Sequence, residues 1–126
     1  MKKFNVVGWF DIYVSDLNRA VSFYESILES KLEELKDPSG ETQMMTFSAD
    51  MTVYGAAGAL VKSEYNRPGP GGTMIYFSVE DCEISQSRVQ SAGGKVLRPK
   101  FSIGEFGWVT ICEDSEGNII GLNSMK

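Results

Sequence analysis

Asp11 stands between Trp9 and Tyr13 at a spacing of two, and a strand would turn all three side chains to one face. A carboxylate set between two aromatic rings can hold a ligand amine or hydroxyl by a charge-assisted hydrogen bond. It can also move a proton as a general base, which makes Asp11 the candidate catalytic residue. It can equally accept a bond from a tyrosine or a backbone group and take no part in chemistry. Both readings stand. Further along, Met74 and Tyr76 share the same parity on a second strand-like stretch. Trp9, Tyr13, Tyr76 and Trp108 can line a pocket for a flat or apolar ligand. The same rings can also be filler in a packed interior.

Other chemistry is narrowed by what is absent. The chain has no histidine. Zinc, nickel or iron needs several convergent nitrogen, sulfur or carboxylate ligands, and a site of two histidines and one carboxylate is impossible here. An oxygen-only site would fall on Glu113-Asp114-Ser115-Glu116-Gly117-Asn118, which lacks the spacing of a calcium loop and reads as a solvated hairpin turn. Cys82 opens a helix, but Glu80, Asp81 and Glu83 surround it with charge of the wrong sign for a thiolate. It reads as structural, and Cys112 as core or near-core. The Gly69–Gly72 run lacks the lysine and following helix of a phosphate loop.

The elements that must position these residues form a repeat. Trp9 to Leu28 reads as strand, corner and helix. Phe10, Ile12 and Val14 make the apolar strand face, and Leu17, Ala20, Val21, Tyr24, Ile27 and Leu28 make a helical stripe. Ser15 or Asp16 caps the helix. Thr73 to Ala92 repeats the layout, with Ile75, Phe77 and Val79 on the apolar face and Glu80-Asp81 at the corner. Trp9 precedes Asp16 by seven residues, as Met74 precedes Asp81. The first strand is expected over Phe4–Val14, followed by a helix over Leu17–Leu28. Strands are expected over Ser30–Lys36, Thr42–Ser48 and Ala56–Lys62. The last is rich in glycine and alanine and lets another group approach closely. Asn66–Gly72 is the linker between a first module, 1–65, and a second, 73–126. The second half continues with a helix over Asp81–Ala92, a strand starting at Lys95–Arg98 and a loop over Ser102–Phe106. Strands at Gly107–Glu113 and Asn118–Ser124 complete it. The expected class is α+β in a single domain of eight strands and two main helices, the helices on one side of a largely antiparallel sheet. Phe10, Ile12, Val14, Leu17, Val21, Tyr24, Ile75, Phe77, Val79, Val89, Ile120 and Leu122 are the expected core.

Composition sets the outer bounds. The chain has 126 residues, 42% hydrophobic and 23% charged, which fits one globular domain. A net charge of −5 argues against nucleic acid as a partner. No apolar run approaches the ~20 residues of a membrane span, so no membrane partner is expected. No signal peptide is visible, and two cysteines make no disulfide framework, so a reducing cytoplasm is the expected location.

The segments DIYVSDLNRAVSFYESIL, YFSVEDCE, AGGKVLRPK and EDSEGNIIGL together resemble the vicinal oxygen chelate superfamily of glyoxalase I, bleomycin-resistance proteins and extradiol dioxygenases. The similarity is greatest to the branch related to lactoylglutathione lyase. It covers nearly the whole chain. Two departures are Glu29, where the family usually has Gly after the first helix, and Ser115, where Pro is common. The resemblance implies two paired βαβββ modules whose mixed sheet curls into a cup, with the helices on its outer face. It also implies metal ligands at four positions. Three of them hold Trp9, Met74 and Gly121 in this sequence, and the fourth falls around Gly58 to Leu60. None of these is a ligand-type residue, so no metal and no cofactor are expected. Gly121 would leave room in the cup where the family has Glu.

Three functions follow. The first is a binding module whose cup holds a small organic molecule, aromatic or cationic, against Trp9, Asp11, Tyr13, Met74, Tyr76, Trp108 and Gly121. The second is a metal-independent lyase or isomerase that uses Asp11 or a tyrosine for proton transfer. The third is a structural or regulatory partner whose cup is plugged by its own side chains. Single cups in this family are often completed by a second chain, so a homodimer is expected.

Overall fold

The computed structural model describes residues 5–126. The order is β1 (Trp9–Tyr13), α1 (Leu17–Leu28), β2 (Glu33–Lys36), β3 (Gln43–Thr46), β4 (Ala57–Lys62), β5 (Ile75–Ser78), α2 (Cys82–Val89), β6 (Lys95–Ser102), β7 (Trp108–Glu113) and β8 (Ile119–Ser124), with a short 3-10 turn at Gly104–Phe106. Each half of the chain builds one four-stranded mixed sheet, β1-β4-β3-β2 and β5-β8-β7-β6. In each, the first strand runs parallel to the last, and the other pairs are antiparallel. This is the α+β arrangement of two βαβββ modules. No helix among the described residues is long and apolar enough to cross a membrane.

Helix α1 spans the residues that its periodicity marks. The Asp16 side chain caps it by accepting from the Arg19 N–H at 3.0 Å. Helix α2 is shorter than expected, ending at Val89, with turns on to Gly93. β1 starts at Trp9, and the expected start at Phe4 lies outside the described residues. β6 runs on to Ser102, so its end replaces the start of the expected loop. Pro99 is tolerated there because β6 is an edge strand with register shifts on both sides of Arg98.

Strand parity holds in both modules. Ile12 and Val14 are buried, while Trp9 and Asp11 are exposed. The helix-facing sides of both sheets and the two helices share one hydrophobic cluster. Tyr24, Ile12, Val14, Val89, Ile120 and Leu122 are buried in it, as expected, and Phe23 joins them fully enclosed. Phe10, Leu17, Val21, Ile75, Phe77 and Val79 pack against the cluster but stay partly exposed. Four of these six, Phe10, Ile75, Phe77 and Val79, border a cleft. Cys82 and Cys112 are both buried and free, and burial, aided by Asp114, pushes the Cys112 thiol up to about 12.

The turn 113–118 is only partly solvated, which corrects the sequence reading. Asp114 is buried and accepts from the Tyr24 hydroxyl at 2.6 Å, the Glu116 and Asn118 N–H groups at 2.8 and 2.9 Å, and the Asn118 amide at 3.0 Å. Glu116 reaches across to the other module. It accepts from the backbone N–H groups of Ser15 and Asp16, both at 2.9 Å, and pairs with the Arg19 guanidinium at 2.7 Å. Asn118 donates to the Tyr13 carbonyl at 2.9 Å. A turn of the second module therefore caps the first helix of the first and buries itself in doing so.

Candidate functional site

β1 sets Trp9, Asp11 and Tyr13 in one column on the face of the first sheet that points away from the helices. Their register partners on β4 are Ala57, Ala59 and Val61, small or aliphatic, so the column stands above its neighbours. Trp9 is 46% exposed. Its indole N–H donates to the nearer Asp11 carboxylate oxygen at 2.9 Å, which fixes ring and carboxylate together. The other Asp11 oxygen has no hydrogen-bond partner among the described residues. A cup would half-bury Asp11; in the single chain it is exposed.

The matching face of the second sheet carries Tyr76. Tyr76 is the register partner of Gly121, as Asp11 is of Ala59. The repeat therefore makes Ala59 the fourth-strand position that sequence alone left open between Gly58 and Leu60. Gly58 lies on the opposite, helix-facing side, where the Phe10 ring occupies the space a side chain would need. The room expected above Gly121 is likewise taken by the Tyr76 ring, which a Cβ at Gly121 would strike. Met74 lies just before β5, half-buried.

Trp108 does not join this group. It shares parity with Thr110 and Cys112, whose register partners Leu122 and Ile120 face the core, so it lies on the α2 side of its sheet. There the Lys100 ammonium sits 5.2 Å from its ring centroid and 3.1 Å from Asp81, at the start of α2. The structure thus brings Trp9, Asp11 and Tyr13 together on one sheet, and Tyr76 and Gly121 together on the other. The two sheets share no hydrogen-bonded strand among the described residues.

A cleft of about 810 Å³ lies elsewhere, on the helix side between the modules. Among the expected site residues, Tyr76 alone borders it. The sequence reading missed it, although one signal was present. Ser85 sits on the same helical stripe as Cys82 and Val89, and all three are buried, so a hydroxyl stands at an inward position of α2.

At the four metal positions of the resemblance the chain offers an indole N–H, a thioether, the methyl of Ala59 and no side chain at Gly121. Among the described residues no three His, Cys, Asp or Glu side chains cluster as a metal site. This donor set does not fit a transition metal.

Two βαβββ modules interlocked through one core define a glyoxalase-type fold, and comparison with known proteins agrees. The profile of the Glyoxalase/Bleomycin resistance protein/Dioxygenase superfamily matches residues 6–122, and the chain belongs to that superfamily. It is 28% identical over 120 residues to the anthracycline biosynthesis protein DnrV of Streptomyces peucetius, covering 87% of this chain and 43% of that one. The chain thus spans less than half of that relative's length. Among solved structures it resembles a glyoxalase-related enzyme from Fulvimarina pelagi, with a TM-score of 0.71 at 17% identity over 96% of this chain and 88% of that one. It also resembles glyoxalase I from Zea mays, with a TM-score of 0.67 at 20% identity over 93% and 45% of the two chains.

Proposed function

We propose that this protein is a small-molecule-binding member of the superfamily that has lost the family's metal site. The observation that carries this is the Trp9–Asp11 pair, an exposed indole fixed by its N–H to a carboxylate that keeps one oxygen free. An aromatic group can stack on the indole while an amine or hydroxyl bonds that oxygen. Tyr13 continues the column. A second copy of the chain would cover the open sheet faces and enclose the ligand, making the working unit a homodimer. The site offers no evident nucleophile–base pair. Binding is therefore favoured over catalysis, and a metal-free lyase or isomerase reaction would fall to Asp11 or a tyrosine.

A second reading has its own support. The Tyr76 ring takes the space above Gly121, as a structural partner with a plugged cup would require. Calorimetry with tryptamine, a cationic aromatic probe, separates the two. Under the binding reading, Asp11→Asn weakens tryptamine about ten- to a hundredfold, the loss of one bond to a charged group. If no member of a panel of aromatic amines binds, or if Asp11→Asn and Trp9→Ala bind as the wild type does, the open face is not the site.

A further inference from the structure

The helix-side cleft touches the second sheet's open face at Tyr76 but is bordered by none of Trp9, Asp11 and Tyr13. We propose that it is a second binding site, for a neutral planar aromatic molecule carrying hydrogen-bonding substituents. Its floor is Phe10, Phe47, Ile75 and Phe77. The three phenyl rings lie 5.3 to 6.1 Å apart between centroids, tilted or edge-on to one another. All four side chains pack on the core yet remain partly exposed, and no element among the described residues closes the cleft over them. A flat apolar body laid on this floor would remove it from water. The volume of about 810 Å³ falls within the ~300–1,000 Å³ usual for small-molecule sites.

The polar part of the site is the Ser85 hydroxyl, which has no protein partner among the described residues. Ser85 borders the cleft and is 5% exposed, and its side chain makes no hydrogen bond among the described residues. No fully enclosed side-chain oxygen or nitrogen in those residues is unpaired, so the remaining surface of the Ser85 hydroxyl opens on the cleft. Water reaches the hydroxyl through that surface, and a ligand donor or acceptor can take the water's place. Ser30, Ser48 and Ser78 also border the cleft with unbonded hydroxyls.

Charge decides the ligand class. Each charged residue lining the cleft already has a counter-ion. Glu29 pairs with Arg88 at 2.6 Å, Asp81 with Lys100 at 3.1 Å and Glu80 with Lys126 at 3.7 Å. No lining charge among the described residues is left without a counter-ion, which favours a neutral ligand. Tyr54, 90% exposed at the rim, offers a further ring and hydroxyl at the edge.

The test is calorimetry with 2-naphthol as the probe, on the wild type and three variants whose thermal melts establish that each is folded. Ile84 borders the cleft and is 50% exposed, so Ile84→Trp places an indole in the cleft without entering the core. It is expected to abolish measurable binding. Ser85→Ala removes one neutral hydrogen bond and is expected to weaken binding about three- to tenfold. In Trp9→Ala, which can lose only binding at the open face, the binding that Ile84→Trp abolishes is expected to remain. The proposal is overturned if the wild type gives no binding at millimolar probe, or if Ile84→Trp and Ser85→Ala bind like the wild type. Loss of binding in Trp9→Ala with full binding in Ile84→Trp would also overturn it, while supporting the open-face reading.

Discussion

Asp114 shows how one residue fixes a shape. It sits nearly out of water and accepts four hydrogen bonds, one of them from Tyr24 in the other module. The Tyr24 hydroxyl is held well above its ordinary range, by burial first and then by the Asp114 charge, so it stays a donor at any ordinary pH. Tyr24→Phe keeps the packing and removes the donor. It is expected to cost about 1.5–3 kcal/mol, the worth of a hydrogen bond to a charged group, read as a lower urea midpoint at unchanged slope. Glu116 supplies a pH signature. Burial opposes its charge, but the Arg19 guanidinium, the Ser15 and Asp16 N–H groups and the Ser115 hydroxyl hold its carboxyl at about 2, below its ordinary 4.5. A depressed carboxyl adds stability above its unfolded pKa and loses it as pH falls toward the folded one. Stability contributed by Glu116 is therefore present above about pH 4.5 and fades down to about pH 2. Asp37, held at about 2 by the Ser39 and Thr42 hydroxyls, fades over a similar range. Melting temperatures of Glu116→Gln from pH 7 to pH 2 are expected to start lower and fall less steeply than those of the wild type, without becoming flat. Parallel curves would show that Glu116 is not the group titrating.

At the scale of elements, the readable parts were those set by local periodicity. Helix α1 has a strong three-and-four repeat and a capping aspartate, and its ends fall where those signals fall. Strand parity was readable for the same reason, since a period of two allows only two faces. Residue type alone groups Trp108 with the other rings, whereas register against Ser124, Leu122 and Ile120 of β8 decides its face. The turn 113–118 was misread for a related reason. Its composition is that of any solvated turn, and what buries it is a helix end about a hundred residues away in sequence. The cleft was invisible because it is a gap between two modules and no short stretch carries its pattern. Glu29 is the element-scale case that can be tested. It ends α1 at φ 49°, in the left-handed region, where the resemblance leads one to expect glycine. A residue with a Cβ pays roughly 1–2 kcal/mol there, while its exposed pair with Arg88 returns about 0–1 kcal/mol. Glu29→Gly is thus expected to raise the melting temperature by a few degrees. A lower melting temperature would mean that the Glu29–Arg88 link between the helices outweighs the backbone strain.

For the whole molecule the question is whether two modules behave as two folding units. Each has its own sheet and helix, and the repeat could allow each to unfold separately. Three features oppose this. The buried cluster runs through both modules without a break. The Arg19–Glu116 pair and the Tyr24–Asp114 hydrogen bond cross between them. The first helix leaves part of its N-terminal backbone to be satisfied by the second module's turn. Losing either module would therefore strip apolar surface, a buried carboxylate's partners and a helix cap from the other. The chain carries its own reporters, Trp9 in the first sheet and Trp108 in the second. Trp108→Phe leaves the first module's signal alone, and Trp9→Phe leaves the second's. Within each variant, tryptophan fluorescence and far-ultraviolet circular dichroism are expected to give coincident urea transitions, as one cooperative unit requires. Adding Glu116→Gln to either variant is expected to move both signals together, although the substitution lies in the second module. A fluorescence transition in one variant that separates from its dichroism curve, or a shift confined to the Trp108 signal, would show that the modules unfold independently and that the links across them are too weak to couple the cores.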